Sequence, residues 1–182
     1  GGNGGTRMHE ICERYLMNDP NPYKGEFPDS IELFRMVQPV LNERIDNIRA
    51  VEARLFSKKL LLAGTVDLIA DFDGELSIID FKSAHNNPNE GVLESHAIQM
   101  CAYSVMWEEL TGIDIESMVN IYAVNSGQYS TAERFSFGSK CNIISKTEWL
   151  PKLYQARYEY EKAKSLRKIV STVSYTHLRA HE

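Results

Sequence analysis

The chain has 182 residues, a mass of 20.7 kDa and a formal net charge of −5. Hydrophobic residues at 43% and charged residues at 25% are those of an ordinary globular fold, and a chain of this length buries about 70% of its unfolded surface, so it needs no disulfide or metal merely to fold. The acidic balance excludes a basic DNA-coating protein but not a nucleic-acid enzyme, whose catalytic carboxylates add negative charge while basic side chains cluster locally.

No apolar run approaches the ~18 residues of a membrane span, and no charged start leads into an apolar signal segment. Cys12, Cys101 and Cys141 are odd in number and far apart. They exclude a CxxC zinc ribbon and predict a reducing, cytoplasmic setting. The opening Gly1-Gly2-Asn3-Gly4-Gly5 reads as the start of a fragment or trimmed chain. The last stretch, Ser174 to Glu182, fits no preceding pattern and reads as a non-native tail. Residues 1–173 are therefore expected to form a single domain.

Met8 to Met17 reads as a helix with Thr6 as its cap, and Asn18 to Pro28 as a loop. Asp29 and Glu32 have capping-box spacing before a second helix, Ile31 to Ile45, in which Pro39 predicts a kink or break. The pattern then turns to strands over Ile48 to Ser57, Leu60 to Asp71 and Glu75 to Ala84. The last two are joined through Asp73-Gly74, a strong hairpin signal because both turn positions need positive φ. Val92 to Leu110 reads as a helix stopped by Thr111-Gly112. Met118 to Val124 and Tyr129 to Phe137 read as strands around a turn at Asn125 to Gln128. Glu148 to Lys168 reads as a closing helix with Pro151 in its first turn. The order α, α, β, β, β, α, β, β, α predicts an α/β fold, a central mixed sheet of about five strands flanked by helices.

The hairpin carries the chemistry. With Asp73 and Gly74 as its loop, Phe72 pairs with Glu75, which sets Asp67 directly opposite Asp80 and Thr65 opposite Lys82. Alternation then places Asp67, Asp80 and Lys82 on one face. Directly opposed residues have Cβ atoms about 4.5–5.5 Å apart. Two carboxylates so close, flanked by Val66, Leu68, Ile79 and Phe81, repel each other unless a cation sits between them. Oxygen ligands favour a hard ion, Mg²⁺ or Mn²⁺, over zinc. The plainer alternative is two surface aspartates on an edge hairpin, against which both strands are too apolar on both faces.

Gly64-Thr65-Val66-Asp67, followed after thirteen residues by Asp80-Phe81-Lys82, resembles the PD-(D/E)XK nuclease signature, with Val66 where that signature has its proline. The helix-strand-strand-strand-helix-strand order resembles the family's restriction-endonuclease-like core. Within the family the chain resembles the RecB-like exonuclease branch. Gly5-Thr6-Arg7-Met8-His9 is similar to its upstream G-x-x-x-H helix, Glu52 to an acidic residue on its first strand, and Gln99-Met100-Cys101-Ala102-Tyr103 to its Q-x-x-x-Y helix. The pattern also resembles that of phage-encoded exonucleases and those of the mitochondrial genome maintenance type, over residues 5 to 125.

The resemblance implies a Mg²⁺- or Mn²⁺-dependent exonuclease that hydrolyses phosphodiester bonds at DNA ends, single-stranded ends by expectation, in phage or in recombination and replication processing. His9, Asp67, Asp80 and the backbone carbonyl of Phe81 are the implied metal ligands. Asp67, Asp80, Lys82 and Glu52 are the implied catalytic residues, with Lys82 orienting the attacking water. Gln99 and Tyr103 would line the substrate channel or support Lys82, and Ser83 would touch a phosphate. His96 shares the helix stripe of Gln99 and Tyr103 but has no counterpart in the family pattern. Glu10 and Glu13 read as a solvated face or as support around the metal. An iron–sulphur nuclease needs four clustered cysteines, so no such cluster is expected.

Residues 140 to 169 carry eight basic side chains against three acidic ones, with Tyr154, Tyr158 and Tyr160 interleaved. That suits single-strand binding, where stacking is worth about 1–3 kcal/mol per base, and equally a helix with a solvated charged face. Two other functions stay open: a structure-specific endonuclease on the same fold, and a non-catalytic DNA-binding module of a recombination complex.

Overall fold

A computed structural model describes residues 3–59, 61–136, 155, 158–159 and 161–167. Among them, α1 (Asn3–Leu16) and α2 (Pro28–Arg44) precede β1 (Ile45–Ser57), β2 (Leu62–Phe72) and β3 (Glu75–Ala84). Then come α3 (Glu90–Thr111), β4 (Ser117–Val124) and β5 (Tyr129–Ser136). The sheet runs in order β1-β2-β3-β4-β5. Only β3 and β4 are parallel, which requires the crossover that α3 supplies. This is the expected mixed five-stranded α/β architecture.

Two cores follow from the two faces. On one, α1 and α2 bury Met8, Ile11, Cys12, Phe34, Val37 and Leu41 against Leu68, Phe72, Ile79, Phe81 and Ile121. On the other, α3 buries Ala97, Met100, Cys101, Tyr103 and Met106 against Val66, Ile69, Ile78 and Met118. β3 and β4 are covered on both faces, and every residue of β4 is buried. That is why their apolar runs lack alternation and why the hairpin is no wet edge.

The hairpin and helix-stop signals act where expected, whereas Thr6, the expected cap of α1, lies inside a helix that starts at Asn3. Asp73 and Gly74 both have positive φ, 49° and 80°, and Arg44 fixes the turn by two bonds to Asp73 Oδ2 and one to Oδ1. α3 starts at Glu90, two residues before the expected Val92, because Asn89 caps it by accepting from the Val92 N–H at 3.0 Å. Gly112 ends α3 in the left-handed region, its N–H donating to Glu108 O at 2.8 Å.

Some expectations are corrected. The capping box at Asp29 and Glu32 does not form: α2 starts at Pro28, and Phe27 caps without a side-chain bond. Proline at the first helical position needs no N–H partner, so it sets the start. Pro39 does not break α2, which continues to Arg44. Phe34, Val37 and Leu41 are buried on both sides of it, and that packing outweighs one lost backbone bond. β1 begins at Ile45, three residues early, because a bulge between Asp46 and Ala50 absorbs the irregular stretch, with Asn47 at φ 48°. Of the closing helix, residues 155, 158–159 and 161–167 are helical. The rest of that segment and the 174–182 tail lie outside the described residues.

Candidate active site

The β2–β3 ladder runs from Phe72↔Glu75 to Leu68↔Ile79 and stops there. Asp67 and Asp80 are the next positions, as the hairpin arithmetic predicts, but the strands no longer pair as a ladder. The two side chains replace the missing backbone partners. Asp67 N–H donates to Asp80 Oδ1 at 3.2 Å, and Phe81 N–H donates to Asp67 Oδ2 at 2.8 Å. Thr65 pairs with Arg54 of β1, and no ladder pair joins it to Lys82.

Simple alternation also fails at this point. Across β1 and β2 the register keeps Val51↔Leu68 and Ala53↔Val66 but leaves out Glu52 and Asp67 between them. Val51 and Leu68 pack on the α1/α2 side, whereas Ala53, Leu55 and Val66 pack on the α3 side. Both strands therefore turn over at Glu52 and Asp67. Glu52 takes a left-handed φ of 53° to do so, a conformation that costs about 1–3 kcal/mol for a non-glycine residue. The turn-over opens the sheet where the carboxylates stand and lets Asp67 face α1.

α1 brings two groups to that opening. His9 Nδ1 lies 3.8 Å from Asp67 Oδ2. Burial is the main influence on His9 and lowers its pKa, which favours the neutral imidazole that can ligate a metal. Glu13, one turn on, also faces the site. Its pKa is pushed up to about 7 by burial first, then by the charges of Glu52, Glu10 and Asp80. Its i+4 spacing from His9 on a helix with a buried face was the available signal. Arg7 and Arg14 both grip Glu26, and Arg14 also donates to Pro22 O at 2.8 Å, so the following loop is strapped along α1.

Lys82 stands on the α3 side. Its Nζ is 3.0 Å from Asp80 Oδ2 and donates to Gln99 Oε1 at 2.6 Å. Gln99 is exposed. Tyr103 is 6% exposed; burial raises its pKa, and the charges of Asp80 and Asp67 add to this. Ser83 is exposed and pairs with Ala123 of the α1/α2 core, on the opposite face from Lys82. Glu52 is exposed at the opening.

Tyr103 explains Gly64. A Cβ there would lie 2.9 Å from Tyr103 Cε1, and the buried ring has little room to retreat. Gly64→Ala is expected to destabilise the fold by about 1–3 kcal/mol through overpacking, measured by urea unfolding.

Asn120 was not predicted. It pairs with Asp80 across the parallel β3–β4 register, is wholly buried, and neither end of its amide has a hydrogen-bond partner among the described residues. The sequence signal was a lone amide in the apolar run Met118-Val119-Asn120-Ile121. A buried amide without partners costs about 1–3 kcal/mol. Asn120→Val is therefore expected to raise stability by about 1 kcal/mol, seen as a higher urea midpoint.

The donor set suits a hard divalent cation. Burial and the charge of Asp80 push Asp67 well above the usual carboxylate range, which a cation between the two groups would reverse. Among the described residues, no three His, Cys, Asp or Glu side chains already converge as a metal cage. Asp67 and Asp80 each accept one backbone N–H, which leaves lone pairs on both carboxylates for a cation.

The mixed sheet thus splays at two opposed aspartates, Asp67 and Asp80, with Lys82 two residues past the second. The chain matches the model of the PD-(D/E)XK nuclease superfamily over residues 6–174 and belongs to that superfamily. No curated protein matches the sequence. Among solved structures, the crystal structure of SSO0001 is similar at 8% identity and a TM-score of 0.40, over 84% of this chain and 71% of that one. So slight a likeness carries no argument about function.

Proposed function

We propose that the protein is a Mg²⁺- or Mn²⁺-dependent DNA exonuclease of RecB-like type that acts on single-stranded ends during recombination or replication. The observation that supports this best is the Asp67–Asp80 pair at the mouth of the hairpin with Lys82 3.0 Å from Asp80. His9, Asp67, Asp80 and the Phe81 carbonyl would hold the cation, with Glu52 and Glu13 beside them. When bound, the cation supplies an activated water and charge stabilisation for in-line displacement at phosphorus.

The protein's own groups do the rest. Lys82 orients the attacking water and offsets negative charge developing on the phosphate. Gln99 and Asp80 hold the Lys82 ammonium in place. Tyr103 supports that wall of the channel, and Ser83 contacts the strand from the other face. Cleavage leaves a 5′-phosphate and a 3′-hydroxyl. Phosphate contacts make binding fall with salt. None of the described helices is long and apolar enough to cross a membrane.

The test is end-labelled linear single-stranded DNA with Mg²⁺, beside EDTA, an Asp80→Ala variant and circular single-stranded DNA. Metal-dependent loss of label from the linear substrate alone is the expected result. Cleavage of the circle would make the enzyme an endonuclease. Binding without cleavage would make it a DNA-binding module.

A further inference from the structure

Beside the carboxylates, on the α3 face of the sheet, stand two side chains with no part in the chemistry so far, His96 and Tyr122. The parallel register sets Tyr122 beside Lys82. Tyr122 is fully buried, and its hydroxyl meets His96 Nδ1 at 2.6 Å. The rings stack with centroids 5.7 Å apart and planes 26° from parallel. His96 lies three residues before Gln99 on α3, so it shares the stripe whose glutamine holds Lys82. Its ring is part-buried. Burial lowers its pKa most, and Lys82 and Asp80 are both near enough to act on it, in opposite directions.

The direction of the hydrogen bond follows from burial. If Nδ1 carried the proton, the phenol proton of Tyr122 would be left in the core without an acceptor, at a cost of about 1–3 kcal/mol. The hydroxyl therefore donates and Nδ1 accepts. A neutral imidazole that accepts at Nδ1 carries its proton on Nε2. The bond to Tyr122 is the one hydrogen bond of the ring to a described residue, and it leaves Nε2 unengaged by them. The ring thus presents one N–H, fixed in direction by the tyrosine behind it, near a lysine ammonium. Both are donors without an acceptor function, and a phosphate oxygen is the group that satisfies both.

We propose that His96 is a substrate-binding residue whose Nε2–H donates to a non-bridging phosphate oxygen of the bound strand, with Tyr122 as the positioning residue that fixes its tautomer and ring plane. The identity of the ligand rests on the nuclease reading.

Two amides separate the inward from the outward nitrogen. Glutamine places its amide nitrogen near the Nε2 position and gives up the bond to Tyr122. Asparagine places an oxygen near the Nδ1 position, keeps an acceptor for Tyr122 and gives up the outward donor. His96→Asn is expected to lower kcat/KM on single-stranded DNA about tenfold to a hundredfold and to weaken oligonucleotide binding in Ca²⁺ about fivefold. His96→Gln should stay within about threefold of wild type in both. Tyr122→Phe, which frees the tautomer, should fall between them. A purely packing role predicts the reverse order, with His96→Asn intact and His96→Gln impaired, and that order overturns the proposal. So does a His96→Asn variant indistinguishable from wild type. The binding arm needs no catalysis: a wild-type protein that binds in Ca²⁺ without cleaving in Mg²⁺ refutes the nuclease reading, and the relative Kd values of the two variants still decide the histidine contact.

Discussion

Asp67→Asn is expected to abolish cleavage and, at the same time, to make the metal-free protein harder to unfold. Asp67 is 7% exposed, beside Asp80 and within reach of Glu13's charge. Burial, the larger cause, and the charge of Asp80 both raise its pKa. An asparagine fits the same space. Its oxygen can still accept from Phe81 N–H, its nitrogen can donate to Asp80 Oδ1, and the Lys82–Asp80 ion pair survives. The gain at pH 7 in EDTA is on the order of 1–2 kcal/mol. With Asp67 as the proposed cation ligand, its loss should lower the rate about a thousandfold or more.

The sign of the pH dependence follows from the same shift. A carboxyl whose folded pKa is raised binds its proton more tightly in the folded state. Its stabilisation is complete below the unfolded value near pH 4 and is lost as pH rises through the folded value. Glu13, pushed up to about 7, acts in the same sense between about pH 4.5 and 7. Metal-free wild-type protein should therefore lose stability as pH rises from about 4 to 8, Asp67→Asn should flatten that slope, and saturating Mn²⁺ should reverse it. Urea midpoints at several pH values, with and without metal, measure all three. A wild-type midpoint that rises with pH in EDTA would refute the buried-pair account.

Lys82→Met is expected to cut kcat about a hundredfold to a thousandfold while leaving Mn²⁺ affinity within about threefold of wild type. Methionine keeps the length and apolar stem of lysine and removes the charge. The Lys82 ammonium touches Asp80 Oδ2 and Gln99 Oε1, so its loss strips charge from the site without removing a carboxylate. Gln99→Ala should cost only about tenfold, because Asp80 still holds Nζ. Isothermal titration with Mn²⁺ and single-turnover cleavage separate the two effects. Equal kcat for Lys82→Met and wild type would leave the ion pair with Asp80 as the lysine's whole purpose.

The strand-turn-strand pattern determined much of this by itself. Asp73-Gly74 fixed the register, and that register put Asp67 and Asp80 at facing positions because a two-residue turn leaves no freedom in the count. The apolar flanks of both aspartates foretold that the hairpin lies inside the sheet. Spacing on α3 put His96, Gln99 and Tyr103 on one stripe, since residues a turn apart share a helix face, while the meeting of Gln99 with Lys82 was implied only by the family resemblance.

Tertiary structure decided what periodicity cannot express. Alternation assumes an undisturbed strand, and Glu52 at φ 53° breaks it, turning β1 and β2 over together so that Asp67 meets α1. Glu13 looked like any helical glutamate until α1 packed against the opening and raised its pKa. Asn120 and Tyr122 sit on a strand far along the chain, and only the parallel pairing of β4 with β3 sets them beside Asp80 and Lys82. Local sequence fixes which residues share one element's face. Which faces meet depends on how the two cores close around the sheet.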